Sequence, residues 1–506
     1  MKTNTSTKLS TEHPIKAIRR AGVPLACIET CDPAATIKNT IAELPADKKP
    51  YSIMQWDIVK GLSGLNKEGQ QAARNIAPDG PIQSGNPTEC LSLLNDKAPG
   101  NSVCFFKNAH KFITNETVSQ AIWNLRDTWK ANGSHLILLA PALVLPSELQ
   151  HDVVVVTEPL PDSAELTKIA EENVLTPAGV KTDDKEQIVD TLLGMSAFAA
   201  EQCLAMSIVK GSSGLEVNQE MLFSRKAKMV EQTPGLSVWR GEGSFDTIGG
   251  LANIKSYLSD LLTSGRNPVR CIGFIDEIEK LFAGASGDLS GVSQDQLRVF
   301  LTEMQDNDIP GLILIGPPGT GKSAIAKGAG AVSGAEVLSI DTGAMTGSLV
   351  GESQAKIRKA MATFKAVSQG KGLFIATCNK IASLPPELRR RFSLGTFYVD
   401  LPDAEERAVI WNIWTAKYEL AKQKLPDDEG WTGAEIRACC DVANRTNKPL
   451  FEAAKYITPV CKSAADQIEA LRMQASGRFI SASRPGTYEY EKQAAAPTPT
   501  GRKFSV

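Results

Sequence analysis

Short, wholly apolar runs alternate along the chain with longer segments whose apolar residues recur at intervals of three and four. Val103-Cys104-Phe105-Phe106, Leu136-Ile137-Leu138-Leu139-Ala140 and Val153-Val154-Val155-Val156 are apolar throughout, as strands buried on both faces of a parallel sheet must be. Val118 to Trp129, between the first two, has helical spacing, and Tyr51 to Val59 predicts another strand. Residues 62–100, rich in Gly, Asn and Pro, predict loops, and 163–228 have helical composition with breaks near Gly179 and Gly211. Residues 1–50 carry only short apolar patches among Thr, Lys and Pro and predict a partly ordered lead-in.

The second half repeats this plan. Cys271 to Ile275, Leu312 to Ile315, Val337 to Ile340, Gly372 to Asn379 and Thr396 to Val399 predict five strands, with helical patterns over Leu251 to Leu262, through Met304, and over Ser353 to Val367. Asp403 to Tyr418, Thr432 to Ala443 and Pro449 to Ile457 predict a helical domain, and the Tyr-, Pro- and Thr-rich sequence after Ile480 a flexible tail. The boundaries that follow are a lead-in (1–50), an α/β domain (51–165), a helical domain and linker (166–240), an α/β core (241–402), a helical lid (403–480) and a tail (481–506).

Chemistry concentrates at Gly316-Pro317-Pro318-Gly319-Thr320-Gly321-Lys322-Ser323, which follows an apolar run and opens a helix at Ala324. Glycines let the backbone curl until successive N–H groups converge on an anion. Lys322 then reaches the β- and γ-phosphates of a nucleotide and Ser323 ligates Mg²⁺. Asp276-Glu277 end another apolar run. In phosphoryl transfer to water the first such acid holds the metal and the second orients the water. Asn379, also at a strand end, can hydrogen-bond that water or the γ-phosphate. Arg389-Arg390-Arg391 suits a neighbour's γ-phosphate, where guanidinium groups offer bidentate forks; this reading requires an oligomer.

Composition narrows the class. With 42% hydrophobic and 22% charged residues in 506, the chain is globular and long enough for several domains. The net charge of −2 supplies no global field for nucleic acid, and no basic strip with interleaved aromatics is present. The ten cysteines lack paired metal spacing and read as reduced thiols. No apolar stretch reaches membrane length and the first twelve residues have no apolar core, so a cytoplasmic protein is expected.

Residues from about 241 to 465 resemble the ATPase module of the AAA family. Asp246-Thr247-Ile248-Gly249-Gly250 is similar to the motif beside its adenine, Phe274 to Lys280 to its acidic motif, Ala376 to Asn379 to its sensor strand, Leu384 to Phe392 to its arginine-finger loop, and Trp431-Thr432-Gly433-Ala434-Glu435-Ile436 to its lid helix. The resemblance implies a P-loop NTPase fold with an αβα parallel sheet and helical lid. It implies ATP and Mg²⁺ as cofactors and nucleotide contacts from Ile248, Gly249, Gly433 and Ala434. It also implies a ring or helical homo-oligomer with Arg391 as one finger and Arg389 or Arg390 as the other. The motif order differs from the family's: the acidic segment 271–304 precedes the phosphate loop, and placing it after 371 restores the usual order. Leu349 stands where unfolding members carry an aromatic that grips a threaded chain. Residues 51–228 resemble the degenerate first module of tandem AAA proteins of cyanobacteria and plastids, with Phe105-Phe106-Lys107-Asn108 in place of the acidic motif.

These readings lead to an oligomeric ATPase acting on a protein partner. A scaffold or filament whose assembly ATP controls is the alternative, and a nucleic-acid motor comes third.

Overall fold

The structure is a computed structural model. It describes residues 14–490 apart from 45–49, 79–84, 181, 183, 212–213, 234, 241–242, 264–268, 283–291, 307, 346–351, 382–383 and 385. The chain divides into two units, the first comprising 1–185 and 195–217 and the second 186–194 and 218–506.

Six strands form the sheet of the first unit: β1 (Leu25–Glu29), β2 (Ser52–Asp57), β3 (Gly61–Gly64), β4 (Ser102–Lys107), β5 (His135–Ala140) and β6 (Val154–Thr157). Their order is β3-β2-β4-β5-β1-β6, with β3 antiparallel to β2 and every other pair parallel. The expected lead-in is therefore wrong at its centre, because β1 lies inside the sheet. Leu25, Ala26, Cys27 and Ile28 are all buried, and a strand paired on both edges needs only such a short apolar run.

The expected loops of 62–100 contain two helices, Lys67–Ile76 and Pro87–Lys97. The Asn and Pro residues that suggested turns are start signals. Asn66 accepts the Gly69 N–H at 2.7 Å, Asn86 accepts that of Thr88, and Pro87 occupies the first helical turn. The stretch read as helical throughout contains the hairpin β7 (Ile208–Gly211) and β8 (Gly214–Val217). Trp56 stacks on Phe106 at 4.2 Å in the core between sheet and helices.

The second unit carries seven strands: β9 (Leu236–Arg240), β10 (Cys271–Ile275), β11 (Gly311–Ile315), β12 (Glu336–Ile340), β13 (Gly372–Cys378), β14 (Thr396–Tyr398) and β15 (Ile480–Ser481). They run β15-β14-β11-β13-β10-β12-β9, with β9 antiparallel to β12 and the rest parallel. Apolar residues fill both faces of this sheet. Beyond it, the helices Ala404–Lys417 and Gly433–Thr446 each start with a capping box, Asp403 with Glu406 and Thr432 with Glu435. They pack around Trp411, Trp431 and Ile436.

The expected tail also needs correcting. Ser481 pairs with Tyr398, Ala482 is buried, and Tyr488 is buried with its hydroxyl on Asp400 at 2.7 Å. One alanine and one tyrosine anchor this segment, too few for periodicity to reveal. Residues 491–506 lie outside the described set.

Counted inward from the antiparallel edge, the sheets share one plan: β3-β2-β4-β5-β1-β6 against β9-β12-β10-β13-β11-β14. The second sheet adds β15 at the far edge, and the chain order differs: moving β10 to between β12 and β13 puts the parallel strands in the order of β1, β2, β4, β5 and β6, while β9 still precedes them where β3 follows β2. The residues after β4 and β10 correspond as well. Asn108 (φ 54°) and Glu277 (φ 50°) are both left-handed, and each leads into a 3₁₀ turn.

One ion pair lies deep in the second unit, Lys226 Nζ to Glu336 Oε2 at 2.5 Å, with Lys226 fully buried. Lys226→Ala takes away the cation and should lower the unfolding free energy by about 3–5 kcal/mol, whereas Lys226→Met with Glu336→Gln should lose much less. Urea denaturation of the full chain checks both.

Candidate nucleotide site

The phosphate loop leaves β11 at Ile315 and enters the helix Lys322–Ser333. Its curl requires glycine. Gly319 and Gly321 have φ of +80° and +94°, and a Cβ on Gly316 would meet the Val399 carbonyl oxygen at 2.0 Å. Lys322 folds back into this curl, donating to the carbonyls of Gly316 and Pro317 at 2.9 and 2.7 Å. Burial pulls its pKa down to about 8.

Because β10, β11 and β13 are parallel, their carboxyl ends share one side of the sheet. Asp276 therefore reaches the loop: Ser323 Oγ donates to Asp276 Oδ1 at 3.0 Å. Asn379 Nδ2 donates to Glu277 Oε1 at 3.0 Å, and Lys280 forms an ion pair with Glu277.

Two residues not singled out from the sequence organise this group. Thr377 Oγ1 donates to Asp276 Oδ1 at 2.5 Å and accepts the Glu277 N–H at 2.9 Å, so one hydroxyl sets both acids. Glu279 Oε1 accepts the Asn379 N–H at 2.9 Å and fixes the sensor end of β13. Both lie within the motifs quoted above, but only strand pairing gives them partners.

A cavity of about 360 Å³ opens here. Ile248, Gly249, Asp276, Glu277, Pro318 to Ala324, Asn379, Gly433 and Ala434 line it. Gly316 and Pro317 act from beneath through their carbonyls. Ile248, Ile410 and Trp414 give the far end an apolar lining suited to a flat ring, and the Arg437 guanidinium lies 5.1 Å from the Trp414 ring centre. No motif had pointed to Trp414, Arg437 or Glu406. Glu406 Oε1 accepts the Leu251 N–H at 2.9 Å and so ties the segment after Gly250 to the lid.

The arginines lie elsewhere in the unit. Arg391 donates to Gln305 Oε1 at 2.6 Å, while Arg389 and Arg390 line a second cavity. None of the three lines the nucleotide cavity. Leu349 lies outside the described residues.

A parallel sheet with a glycine-rich phosphate loop at its carboxyl edge defines a P-loop NTPase fold. Residues 11–158 match the family described as "SpoVK-like AAA ATPase, N-terminal domain", and 312–370 match "ATPase family associated with various cellular activities (AAA)". Two stretches of the chain are thus similar to domains of the AAA ATPase family. It is 24% identical to the "Uncharacterized AAA domain-containing protein ycf46" of Guillardia theta, over 92% of this chain and 95% of that protein. With the protein of the same description from Gracilaria tenuistipitata var. liui it shares 25%, over 76% and 80%. Among solved structures, "Crystal structure of FIGL-1 AAA domain" aligns with 37% of this chain and 86% of that one, at 18% identity and a TM-score of 0.26.

Thr377→Val removes both bonds that set the acids. It should leave nucleotide affinity nearly intact while lowering turnover roughly 10- to 100-fold, the range for residues that orient metal ligands; binding and steady-state hydrolysis measured together check this. Lys322 gives a second expectation. Its lowered pKa means that the free protein loses this proton as pH rises through about 8, whereas a bound phosphate favours the charged amine. Nucleotide binding near pH 8 should therefore take up protons, and affinity should fall above that pH. Calorimetry in buffers of different ionisation enthalpy reads the uptake, and Lys322→Arg should abolish it because arginine stays charged. The same lowered pKa makes the free fold gain stability between about pH 8 and the ordinary lysine range, where the unfolded chain binds more protons.

Proposed function

We propose that the second unit hydrolyses ATP with Mg²⁺ in a homo-oligomer, and that turnover drives work on a protein partner. The observation that carries this is the 3.0 Å contact of Ser323 with Asp276, with Glu277 and Asn379 alongside. The residues fit the cofactors. The loop presents curled backbone and a buried amine for phosphates. Ser323 and Asp276 offer two oxygens already within one coordination shell, and the cavity's apolar end suits a base. Bound Mg²⁺ would neutralise charge on the phosphates. In this chain Lys322 would trade its carbonyl partners for phosphate oxygens. Glu277 would accept a proton from water held by Asn379, and Thr377 would keep both acids in place.

The first unit is read as structural. At the slots of Asp276 and Glu277 it has Lys107 and Asn108, a cation that cannot ligate Mg²⁺ and a neutral amide that cannot take a proton from water. At the slot of the phosphate loop it has Thr30-Cys31-Asp32-Pro33. There Asp32 already accepts the Ala35 and Phe198 N–H groups at 3.1 Å each, so a carboxylate occupies the amides that a phosphate would need. The common strand plan also supports reading the second unit as a transposed copy of the AAA order. The AAA family match, 312–370, spans the phosphate loop and the helix Glu352–Ser368 without the acidic strand.

The alternative, an assembly that ATP switches, shares the site and differs in what turnover accomplishes. A cytoplasmic setting accords with the reduced thiols; among the described residues no helix is long and apolar enough to cross a membrane.

Glu277→Gln should bind ATP and hydrolyse it very slowly, and full-length Lys322→Ala should show no remaining ATP site. Near wild-type turnover in Glu277→Gln rejects the assignment, and micromolar binding to Lys322→Ala rejects the structural reading of the first unit. Arg391→Ala should fold normally and lose roughly 10²-fold or more in turnover. Mixing it with Glu277→Gln should restore partial activity through interfaces holding one intact residue of each kind. Co-assembly by light scattering without recovery would remove the role between subunits. Electron microscopy with and without nucleotide and protein partner separates remodelling from switched assembly.

A further inference from the structure

The sheet of the first unit ends at β6, beyond which no further strand pairs among the described residues. Val154 and Val155 are each 42% exposed, and Val153-Val154-Val155-Val156-Thr157 contains neither a charge nor a proline. An edge of this kind presents a row of backbone N–H and C=O groups to any extended chain, and folded proteins ordinarily blunt it with lysine, proline or a bulge. Here the side chains are β-branched throughout, which favours strand pairing.

The second sheet shows how the corresponding edge is filled. Glu158 donates its N–H to the Glu29 carbonyl at 3.0 Å, and Val399 donates to the Ile315 carbonyl at 2.7 Å. Thr157 lies opposite Glu29 and Tyr398 opposite Ile315. Val155, Val156, Thr157 and Asp162 therefore stand where Thr396, Phe397, Tyr398 and Asp403 stand in the other sheet. Backbone groups alternate in direction along a strand. Because Glu158 points inward to β1, Val155 and Thr157 turn their backbone groups outward. On β14 the same outward groups hold β15: the Tyr398 carbonyl accepts the Ala482 N–H at 3.0 Å, and Ile480 lies opposite Phe397. Beyond Ala482, Arg484 forms an ion pair with Asp403 at 3.1 Å. Asp162, its counterpart, is exposed and caps the helix that follows, as Asp403 does.

We infer that the β6 edge is a docking site for an extended segment of a protein partner. The segment adds to the sheet parallel to β6, sets an apolar residue opposite Val156 and brings a lysine or arginine to Asp162. Backbone hydrogen bonds hold it, and the apolar and basic positions select it. A second copy of β6 fits less well. Antiparallel pairing about Val155 would set Asp152 opposite Glu158, and like charges across a strand pair are unfavourable. Recruitment at this edge does not depend on ATP hydrolysis by the second unit.

The test uses the full chain and a labelled synthetic peptide with the sequence of Gly477–Pro485, which carries the apolar and basic positions in the spacing that β14 accepts. Fluorescence anisotropy should show saturable binding. Val155→Pro removes an outward N–H and leaves the pairing with β1 in place, so binding should weaken roughly tenfold or more. If that variant melts at a lower temperature, Val155→Lys, which guards an edge by charge, replaces it. Asp162→Asn keeps the helix cap and should weaken binding about two- to fivefold, the worth of an exposed ion pair, with no such loss for a peptide already carrying Arg484→Gln. Absent binding, or binding that ignores both Val155 variants, overturns the inference. Association of the peptide-free wild type that either variant abolishes in light scattering also overturns it, since a second copy then holds the edge. Glu277→Gln should bind the peptide like the wild type, so failure of the ATPase reading leaves this result standing.

Discussion

Asp276 Oδ1 receives the hydroxyls of both Ser323 and Thr377, and the nucleotide site depends on this shared carboxylate. It joins the ends of three strands: β10 supplies the acid, β11 leads to the loop and its serine, and β13 supplies the threonine. Parallel pairing makes the meeting possible, since all three carboxyl ends face one way and ligands gather at that edge. Chain order does not enter the geometry. The acidic strand precedes the loop in sequence and still lies one strand away from β11 in space, because a strand needs its slot and a connection long enough to reach it.

The two sheets separate frame from chemistry. Both share five parallel strands with an antiparallel strand at the same edge, the second sheet adding β15 as a sixth parallel strand at the other, and both turn through a left-handed residue after the corresponding strand. What differs is a handful of side chains at the carboxyl edge. Lys107 and Asn108 stand against Asp276 and Glu277, and Asp32 against a glycine-rich curl. Such changes leave packing intact, since these residues sit where strands end and the core is made by the apolar runs behind them.

Within the second unit, charge is divided between two sides of one sheet. Acids and the buried Lys322 occupy the carboxyl edge with the apolar shelf of Ile248, Ile410 and Trp414 beside them. The arginine cluster lies beyond the amino ends of β14 and β15. In one copy of the chain the arginines therefore do not line the cavity beside the glycine-rich loop.

The glycine-rich curl, the strand-end acids Asp276 and Glu277 and the strand-end Asn379 were legible in the sequence because each depends on local chemistry: glycines that permit positive φ, and polar residues closing apolar runs. Buried parallel strands were legible for a similar reason, their apolar character being continuous. Asn66 and Asn86 misled because asparagine serves turns and helix starts alike. β1 and β15 were missed because a few apolar residues become a strand only when neighbours pair with them. The partners of Thr377, Glu279 and Trp414 were beyond local reading altogether. A threonine in a strand, a glutamate in a turn and a tryptophan in a helix are ordinary in sequence. Their roles come from what tertiary packing sets within hydrogen-bonding distance or along the same cavity wall, and that is a property of the fold alone.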